Sequence, residues 1–430
     1  MSEPNVIDLA DTEIPAVELV GTKAEHLANV RAQGFATPAG FVLTTALYHR
    51  TVRAGRIERQ LNEIWETARH ARPERLQALA RKARHLISGL RFDQELTDDV
   101  IRRIEAFGPR QAVAVRSSLP RDAVSGPECS GIHASYTNLV EPDQIFTRIR
   151  SCWASLFGER ALMLRARGLG DAQPSMAVIV QPMVDAVKSG IVVPIGPHTE
   201  VLIEATFGLA DPIVTGAVEP DSYVLDTHTG TVRSKTIGRK QIVLQPNDPF
   251  GHSFAPADQE LLPVLNDAEA HSLAALCAGV AQVFERPHEI EWAIGTAGLS
   301  VLQIRPVETS TAGDGLVSES ADGRFAGLGV GLGSASGPVR VVRSESDVSA
   351  VEVGDVIVAI HTVPEWRPHL LRAAAIVTET GDEHSHAAHI AREYGVPTVV
   401  ATRNATADLV NGAVVTVDAH RGTVQLMSTD

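Results

Sequence analysis

The chain has 430 residues, of which 44% are hydrophobic and only 4% aromatic, a balance that suits an α/β protein built on Val, Ile, Leu and Ala and divided into two or three domains. A net charge of −14 argues against a nucleic-acid partner, which would want a basic surface. No apolar run approaches the length of a bilayer span, Met1-Ser2-Glu3-Pro4-Asn5 lacks a basic-then-apolar leader pattern, and Cys129, Cys152 and Cys277 form no C-x-x-C pair, so no membrane segment, export, disulfide framework or zinc–cysteine cluster is expected and the location should be cytoplasmic.

In chain order, Gly21-Thr22-Lys23 precedes an amphipathic helix with Leu27 and Val30 on one face, followed by the run from Gly34 to Thr45. Short apolar runs bounded by turn residues predict strands at 111–116, 177–183, 190–195, 201–206, 223–226 and 299–305. Helical spacing groups Ile145, Ile149, Cys152, Trp153 and Leu156 on one face, and Leu273, Leu276, Cys277, Val280, Val283 and Phe284 on another, with Asn266 or Asp267 as the cap of the second helix. The cysteines and aromatics on these faces read as core. Segment 308–325 is rich in Gly, Ser, Thr and acid, cannot bury enough apolar surface to offset its ordering entropy, and reads as a flexible tether. Fully extended it reaches about 60 Å, and as a coil roughly 25 Å, enough for a small domain to swing. Beyond it, strands are predicted at 339–342, 355–360, 374–378, 398–401 and 414–417, with helices near 366–372 and 386–394. Domains are therefore expected at 1–307 and 326–430.

Within the second domain, Thr380-Gly381-Asp382-Glu383-His384-Ser385-His386-Ala387-Ala388-His389 places His386 where a glycine-containing turn enters a short helix. A helix N-terminus carries unpaired N–H groups and a partial positive charge, so a phosphoryl group on an imidazole there is stabilised. The plain alternative is a helix cap with a surface histidine. His384, His386 and His389 also form H-x-H-x-x-H, a zinc pattern that Asp382 or Glu383 would complete, although no cysteine lies nearby.

Three charged clusters before the tether match what a triphosphate needs, namely cations and Mg²⁺ at its oxygens and a loop whose backbone approaches closely. They are Gly21-Thr22-Lys23; Val115-Arg116-Ser117-Ser118 with the following Ser125-Gly126-Pro127-Glu128-Cys129-Ser130-Gly131; and His288-Glu289-Ile290-Glu291-Trp292 with Leu302-Gln303-Ile304-Arg305-Pro306-Val307.

The flanks of His386 resemble the phosphohistidine domain shared by phosphoenolpyruvate synthase, pyruvate phosphate dikinase and rifampin phosphotransferase. Thr362-Val363-Pro364-Glu365-Trp366-Arg367-Pro368 looks like that family's T-x-P-x-W-x-P loop, Ala374-Ala375-Ile376-Val377-Thr378-Glu379 like the strand before its histidine, and Gly395-Val396-Pro397-Thr398-Val399-Val400 and Val415-Thr416-Val417-Asp418 continue the likeness. From about 10 to 307 the order of motifs resembles the family's ATP-grasp nucleotide domain: G-x-K at Lys23, P-x-G-F-x-x-T-T, V-R-S-S, the helix at 151–157, Val180-Gln181-Pro182-Met183-Val184, Ser189-Gly190, Ala205-Thr206-Phe207-Gly208-Leu209 and Gly216-Ala217-Val218-Glu219-Pro220-Asp221. The fold class this implies is α/β and α+β multidomain, an ATP-grasp domain of two subdomains followed by a small swivelling β/α phosphohistidine domain.

The resemblance implies a role for each matching residue. His386 is phosphorylated; Lys23 and Arg116 hold phosphate oxygens; Ser130 and Gly131 belong to the loop over the phosphates; Gln181 sits near the adenine. Glu291 and Gln303 ligate Mg²⁺, and Arg305, on the same strand face as Gln303, neutralises charge on the transferred phosphoryl. For Glu291 and Arg305 a structural ion pair is the alternative. The implied enzyme is an ATP-dependent phosphotransferase in which the β-phosphoryl of Mg-ATP passes to His386 and then to an acceptor, with release of AMP and phosphate.

The chain departs from the family's pattern at Gly381-Asp382 where a glycine pair is usual, at Ile132 where a glutamine follows the A-G pair, and at Gly208-Leu209-Ala210-Asp211 in place of G-L-G-E. Neither a pyruvate-binding barrel, which needs about 250 residues, nor a helical drug-binding domain has room in the sequence. The acceptor is therefore expected to be a small molecule held between the two domains or to sit on a separate polypeptide. Two rival readings stand beside this one: acyl-phosphate ligation by the ATP-grasp unit, and a non-catalytic regulatory subunit of a split phosphoenolpyruvate synthase-like system, which Asp382 and Ile132 favour. The acceptor could be a sugar, amino acid, antibiotic, phosphonate or keto acid.

Overall fold

In the computed structural model the described residues are 3–11, 16–71, 73–120, 134–166, 173–195, 200–214, 218–227, 229–246, 253–254, 256, 259–306, 324–331, 333–343, 345–360, 362, 366–379, 385–400, 402 and 405–427. The chain divides into two compact units, Met1–Ile213 with Glu219–Glu308, and Thr309–Asp430 with Val214–Val218. Most of the proposed tether, 307–323, lies outside the described residues. Its predicted end does not hold: Arg324–Ala326 is a strand paired with Thr423–Leu426, because Phe325 and Val424 give that edge an apolar anchor.

The first unit contains a five-stranded sheet in the order Val6–Asp8, Phe41–Leu43, Ala177–Pro182, Val113–Ser118, Ser135–Leu139, with every neighbour antiparallel. Alternation along the apolar run explains how this sheet serves two cores: Val178 and Val180 face a helical layer, whereas Ala177 and Ile179 face the other sheet of the unit. The helical layer includes four helices additional to the predicted elements, Thr45–Ala54, Glu58–Ala68, Pro73–Ser88 and Gln94–Glu105, and the predicted helix Pro142–Ser155 with Trp153 fully buried.

The six-stranded sheet runs Gly298–Pro306, His288–Gly295, Ala186–Ile195, Glu200–Phe207, Asp221–Asp226, Val232–Thr236, again antiparallel throughout. All six strands predicted before the tether are present with small shifts at their ends. Helix Asp267–Phe284 covers one face of the sheet, setting Leu273, Cys277 and Val280 against Val192, Ile203 and Trp292. Of the two expected caps it is Asn266 that acts, in a reciprocal box with Glu269, an arrangement worth about 1 kcal/mol.

A charged pair is sealed into this unit. Asp221 and Lys240 are both 0% exposed and in direct contact; Asp221 also accepts from Gly238 N (3.0 Å), Val264 N (2.7 Å) and the Tyr223 hydroxyl (3.2 Å), while Lys240 Nζ donates to Gly238 O (2.8 Å). Every charge is thus matched by hydrogen bonds, the condition on which burial of an ion pair is tolerable.

The second unit is built on an eight-stranded sheet, in the order Arg324–Ala326, Thr423–Leu426, Val414–Asp418, Ser334–Val342, Val356–Ala359, Ala375–Thr378, Thr398–Val400, Leu328–Val330. Its centre, from Ser334–Val342 to Thr398–Val400, is parallel, and both flanks are antiparallel. Parallel strands are buried on both faces, which is why Val356–Ala359 and Ala375–Thr378 read as unbroken apolar runs. Helix His386–Tyr394 packs on one face through Ala387, Ala388, Ile390 and Ala391. Among the described residues no helix is long and apolar enough to cross a membrane.

Candidate functional site

The charged cluster of the first unit is organised by the hairpin of strands His288–Gly295 and Gly298–Pro306. Its register sets Glu289 opposite Arg305 and Glu291 opposite Gln303, so that the period of two brings all four side chains to one face. Glu291 is the hub: Oε1 accepts from Gln303 Nε2 (3.0 Å) and Arg305 Nη2 (3.4 Å), and Oε2 accepts from Arg116 Nη2 (3.1 Å). Arg305 Nε is also paired with Glu289, whose side chain is 3% exposed. Arg116 arrives from the other sheet and its Nη1 donates to Leu302 O (2.6 Å), which ties the two sheets together at this point. Its Nε is buried with no hydrogen-bond partner.

Lys23 enters through a break in its helix. The segment Val17–Ala32 is interrupted at Gly21, where φ is 75°, and a Cβ at that position would stand 2.4 Å from the Ser118 carbonyl carbon. Only glycine fits. The helix begins again at Thr22, whose N–H donates to Leu119 O (2.7 Å), and Ala24 N–H donates to Ser118 Oγ (3.2 Å), so the V-R-S-S strand end and the lysine-bearing turn are fastened together.

The electrostatics follow from this crowding. Burial, then the Arg116 and Arg305 guanidiniums, push the Lys23 ammonium down to about 8, against the opposing pull of Glu291. Burial would raise the Glu291 carboxyl, but Arg116, Arg305 and Lys23 outweigh it and hold the group below the usual carboxylate range. Asp211 is raised, first by burial and also by Glu291, with Arg116 opposing. Lys23, Arg116 and Arg305 thus surround Glu291, with Glu289 paired to Arg305 and Asp211 in the field of Arg116 and Glu291.

Lys23, Arg116, Glu291, Gln303 and Arg305 are thus brought together. Gln181 is not: it is 3% exposed, lies against Gly40, and donates from Nε2 to Pro38 O (3.3 Å). Ser130, Gly131 and Ile132 lie outside the described residues. Glu289 and Asp211 were given no site role from the sequence, although both lie in quoted motifs; the signal for Glu289 was its i, i+2 spacing from Glu291, the same spacing that relates Gln303 to Arg305.

In the second unit the backbone of His386 is the first turn of helix His386–Tyr394. Ser385 is its N-cap residue, extended at φ −60° and ψ 158°, and makes no side-chain cap hydrogen bond, so the first N–H groups of the helix are not taken by that hydroxyl. The helix ends at Gly395, with φ 70° and its N–H on Ala391 O. Thr380 to His384, with Asp382, lie outside the described residues. Glu379, the last described residue before them, accepts from Thr406 N (2.7 Å) and Thr406 Oγ1 (2.6 Å). Among the described residues no group of three His, Cys, Asp or Glu side chains is gathered to hold a metal, and the zinc pattern itself falls largely outside them.

Residues 17–322 match the family described as pyruvate phosphate dikinase, AMP/ATP-binding domain. The chain belongs to this family. Residues 351–422 match a second description, PEP-utilising enzyme, mobile domain, so an ATP/AMP-binding domain is followed by a phosphohistidine-type mobile domain. Among relatives, the chain is 34% identical to a probable phosphoenolpyruvate synthase of Archaeoglobus fulgidus over 97% of its own length and 58% of that protein's. It is 31% identical to one of Methanothermobacter thermautotrophicus (95% and 61%) and 29% identical to the phosphoenolpyruvate synthase of Pyrococcus furiosus (97% and 58%). The chain thus spans about three fifths of the length of these dikinase-family relatives.

Proposed function

We propose that His386 attacks the β-phosphorus of Mg-ATP with AMP as the leaving group, that water then removes the γ-phosphoryl as phosphate, and that the phosphoryl left on His386 passes to an acceptor. The observation that carries this reading is the convergence of Lys23, Arg116 and Arg305 on Glu291 and Gln303 in a chain whose second unit opens a helix at His386. The residues suit a magnesium nucleotide. Arg116 Nε is a buried donor without a partner, and Glu291 is an ionised hard-oxygen ligand beside the amide of Gln303. Mg²⁺ is held through one or two protein oxygens together with substrate phosphates, and when bound it neutralises charge on them. Lys23 and Arg116 bind the phosphates, Arg305 balances charge on the transferred group, and the N–H groups that open the His386 helix stabilise the phosphohistidine.

On this reading residues 1–307 form the nucleotide domain, 308–323 the tether and 324–430, with the strand at Arg324, the carrier, as a soluble cytoplasmic protein. The names of the relatives make pyruvate the first acceptor to test, either as a small molecule or on a separate subunit. The reading is tested with ATP labelled separately at the β and γ positions, comparing the native chain with His386→Ala. Acid-labile β label on the native chain alone, with AMP as product, is expected. Label from the γ position without β label, equal labelling of both chains, or ADP as product would overturn it in favour of acyl-phosphate ligation; failure to bind Mg-ATP would favour a regulatory role.

A further inference from the structure

The helix that bears Lys23 also bears His26, one turn further on, which neither the charge cluster nor the phosphate chemistry uses. His26 is 7% exposed, and its Nδ1 lies 3.3 Å from the carbonyl oxygen of Ile304, the residue between Gln303 and Arg305. A carbonyl can only accept, so the ring proton sits on Nδ1 and donates. The ring also packs on Phe284 (centroids 4.8 Å apart) and meets His288 edge-on (5.6 Å, 87°), while Phe284 and His288 meet in a tilted contact (4.4 Å, 39°). His288 precedes Glu289. Its Nδ1 is 2.9 Å from Arg286 O and its Nε2 is buried without a partner. Burial, with His26 and Arg286 adding to it and the bond to Arg286 O opposing it, pushes the His288 ring down to about 4, so His288 is uncharged at neutral pH. Three elements of the site converge on it: the Lys23 helix, the Arg305 strand and the Glu289 strand.

We propose that His26 is a positioning residue for the nucleotide site, its ring fastening the helix that bears Lys23 to the strand that bears Gln303 and Arg305. The proposal rests on the reading of the cluster as that site. Residues three apart on a helix share a side, so the fastening acts on the turn that presents the ammonium. A helix released at His26 shifts Lys23 relative to Arg116 and Arg305, and a displacement of about 1 Å at a reacting site lowers rates by about a hundredfold. A histidine that merely filled core volume would be replaced by phenylalanine with no effect on Lys23.

The test uses the full chain and three variants. His26→Phe keeps the ring and loses the donor, His26→Asn keeps a donor at the Nδ1 position, and His26→Leu loses both ring and donor. The titration of Lys23 is read by competitive acetylation and mass spectrometry, and Mg-ATP affinity by calorimetry. In the native chain Lys23 should titrate near 8, in the field of Arg116, Arg305, Glu291 and Cys152. In His26→Phe and His26→Leu its midpoint moves upward and affinity falls about tenfold, and His26→Asn moves both back towards native. If the phenylalanine chain does not fold, the leucine chain decides. A folded variant without the donor, with Lys23 and affinity unchanged, overturns the proposal. Because the acetylation readout needs no nucleotide, a native chain that failed to bind Mg-ATP would sink the nucleotide-site reading while the Lys23 midpoint still decided the fastening.

Discussion

Replacing Lys23 by methionine should stabilise the protein without nucleotide and weaken its hold on ATP. The ammonium is held near 8 rather than its ordinary 10.5 because it is buried beside Arg116 and Arg305, so at neutral pH the folded state carries a charge that its surroundings disfavour. At about 1.4 kcal/mol per pKa unit the ceiling on that penalty is roughly 3 kcal/mol, and relaxation and water access reduce the expected gain to about 1–2 kcal/mol. Methionine matches the lysine stem in volume and needs no solvation. The sign works out as follows for a lysine whose folded pKa is depressed: the penalty is complete below about 8, shrinks as pH rises through 8, and is gone above 10.5, where both states are neutral. Lys23→Met should therefore raise Tm by about 2–6 °C at pH 7, with the advantage shrinking by pH 9.5, while Mg-ATP affinity drops by about thirtyfold or more. Thermal melts across pH 6.5–10 and calorimetry with Mg-ATP check both halves. A Tm that falls at pH 7, or a gain that stays constant across that pH range, would refute the claim that Lys23 is an unfavourably placed cation kept for an anionic ligand.

Glu291→Gln removes the hub of the cluster and leaves Arg116, Arg305 and Lys23 facing one another, so stability should fall by about 3 kcal/mol, Lys23 should titrate below its native midpoint, and nucleotide binding should lose its dependence on Mg²⁺; melts, acetylation and calorimetry with and without Mg²⁺ read these out. Lys240→Met strands Asp221 in a site with no exposure and should cost about 3–5 kcal/mol, whereas the double change Asp221→Asn with Lys240→Met should recover part of that loss in urea melts, since the pair and not either charge is what the interior tolerates.

Much of the fold could be read before any coordinates, for a physical reason. Strands buried on both faces must be dominated by apolar residues, as at 177–180, 356–359 and 375–377, and the helix Asp267–Phe284 must repeat its apolar residues with helical spacing. Local chemistry, a capping Asn266 or a glycine ahead of Lys23, marks where elements start, and the order of short motifs was enough to point to the family. Helices at 45–105 carried no comparable motif, and the strand at Arg324 was hidden by the polar run before it.

The identity of the charged residues was legible, but their interactions were not. Arg116 and Glu291 are 175 positions apart, and nothing in the chain's local pattern says that one guanidinium will bridge to Leu302 and Glu291 together. Register between strands His288–Gly295 and Gly298–Pro306 made Glu289 a partner of Arg305, and packing of two sheets set Lys23 among cations and drew Gln181 away to Pro38. Periodicity and local propensity are properties of the chain itself; charge, pKa and reach depend on distances between distant segments, and only tertiary structure decides those.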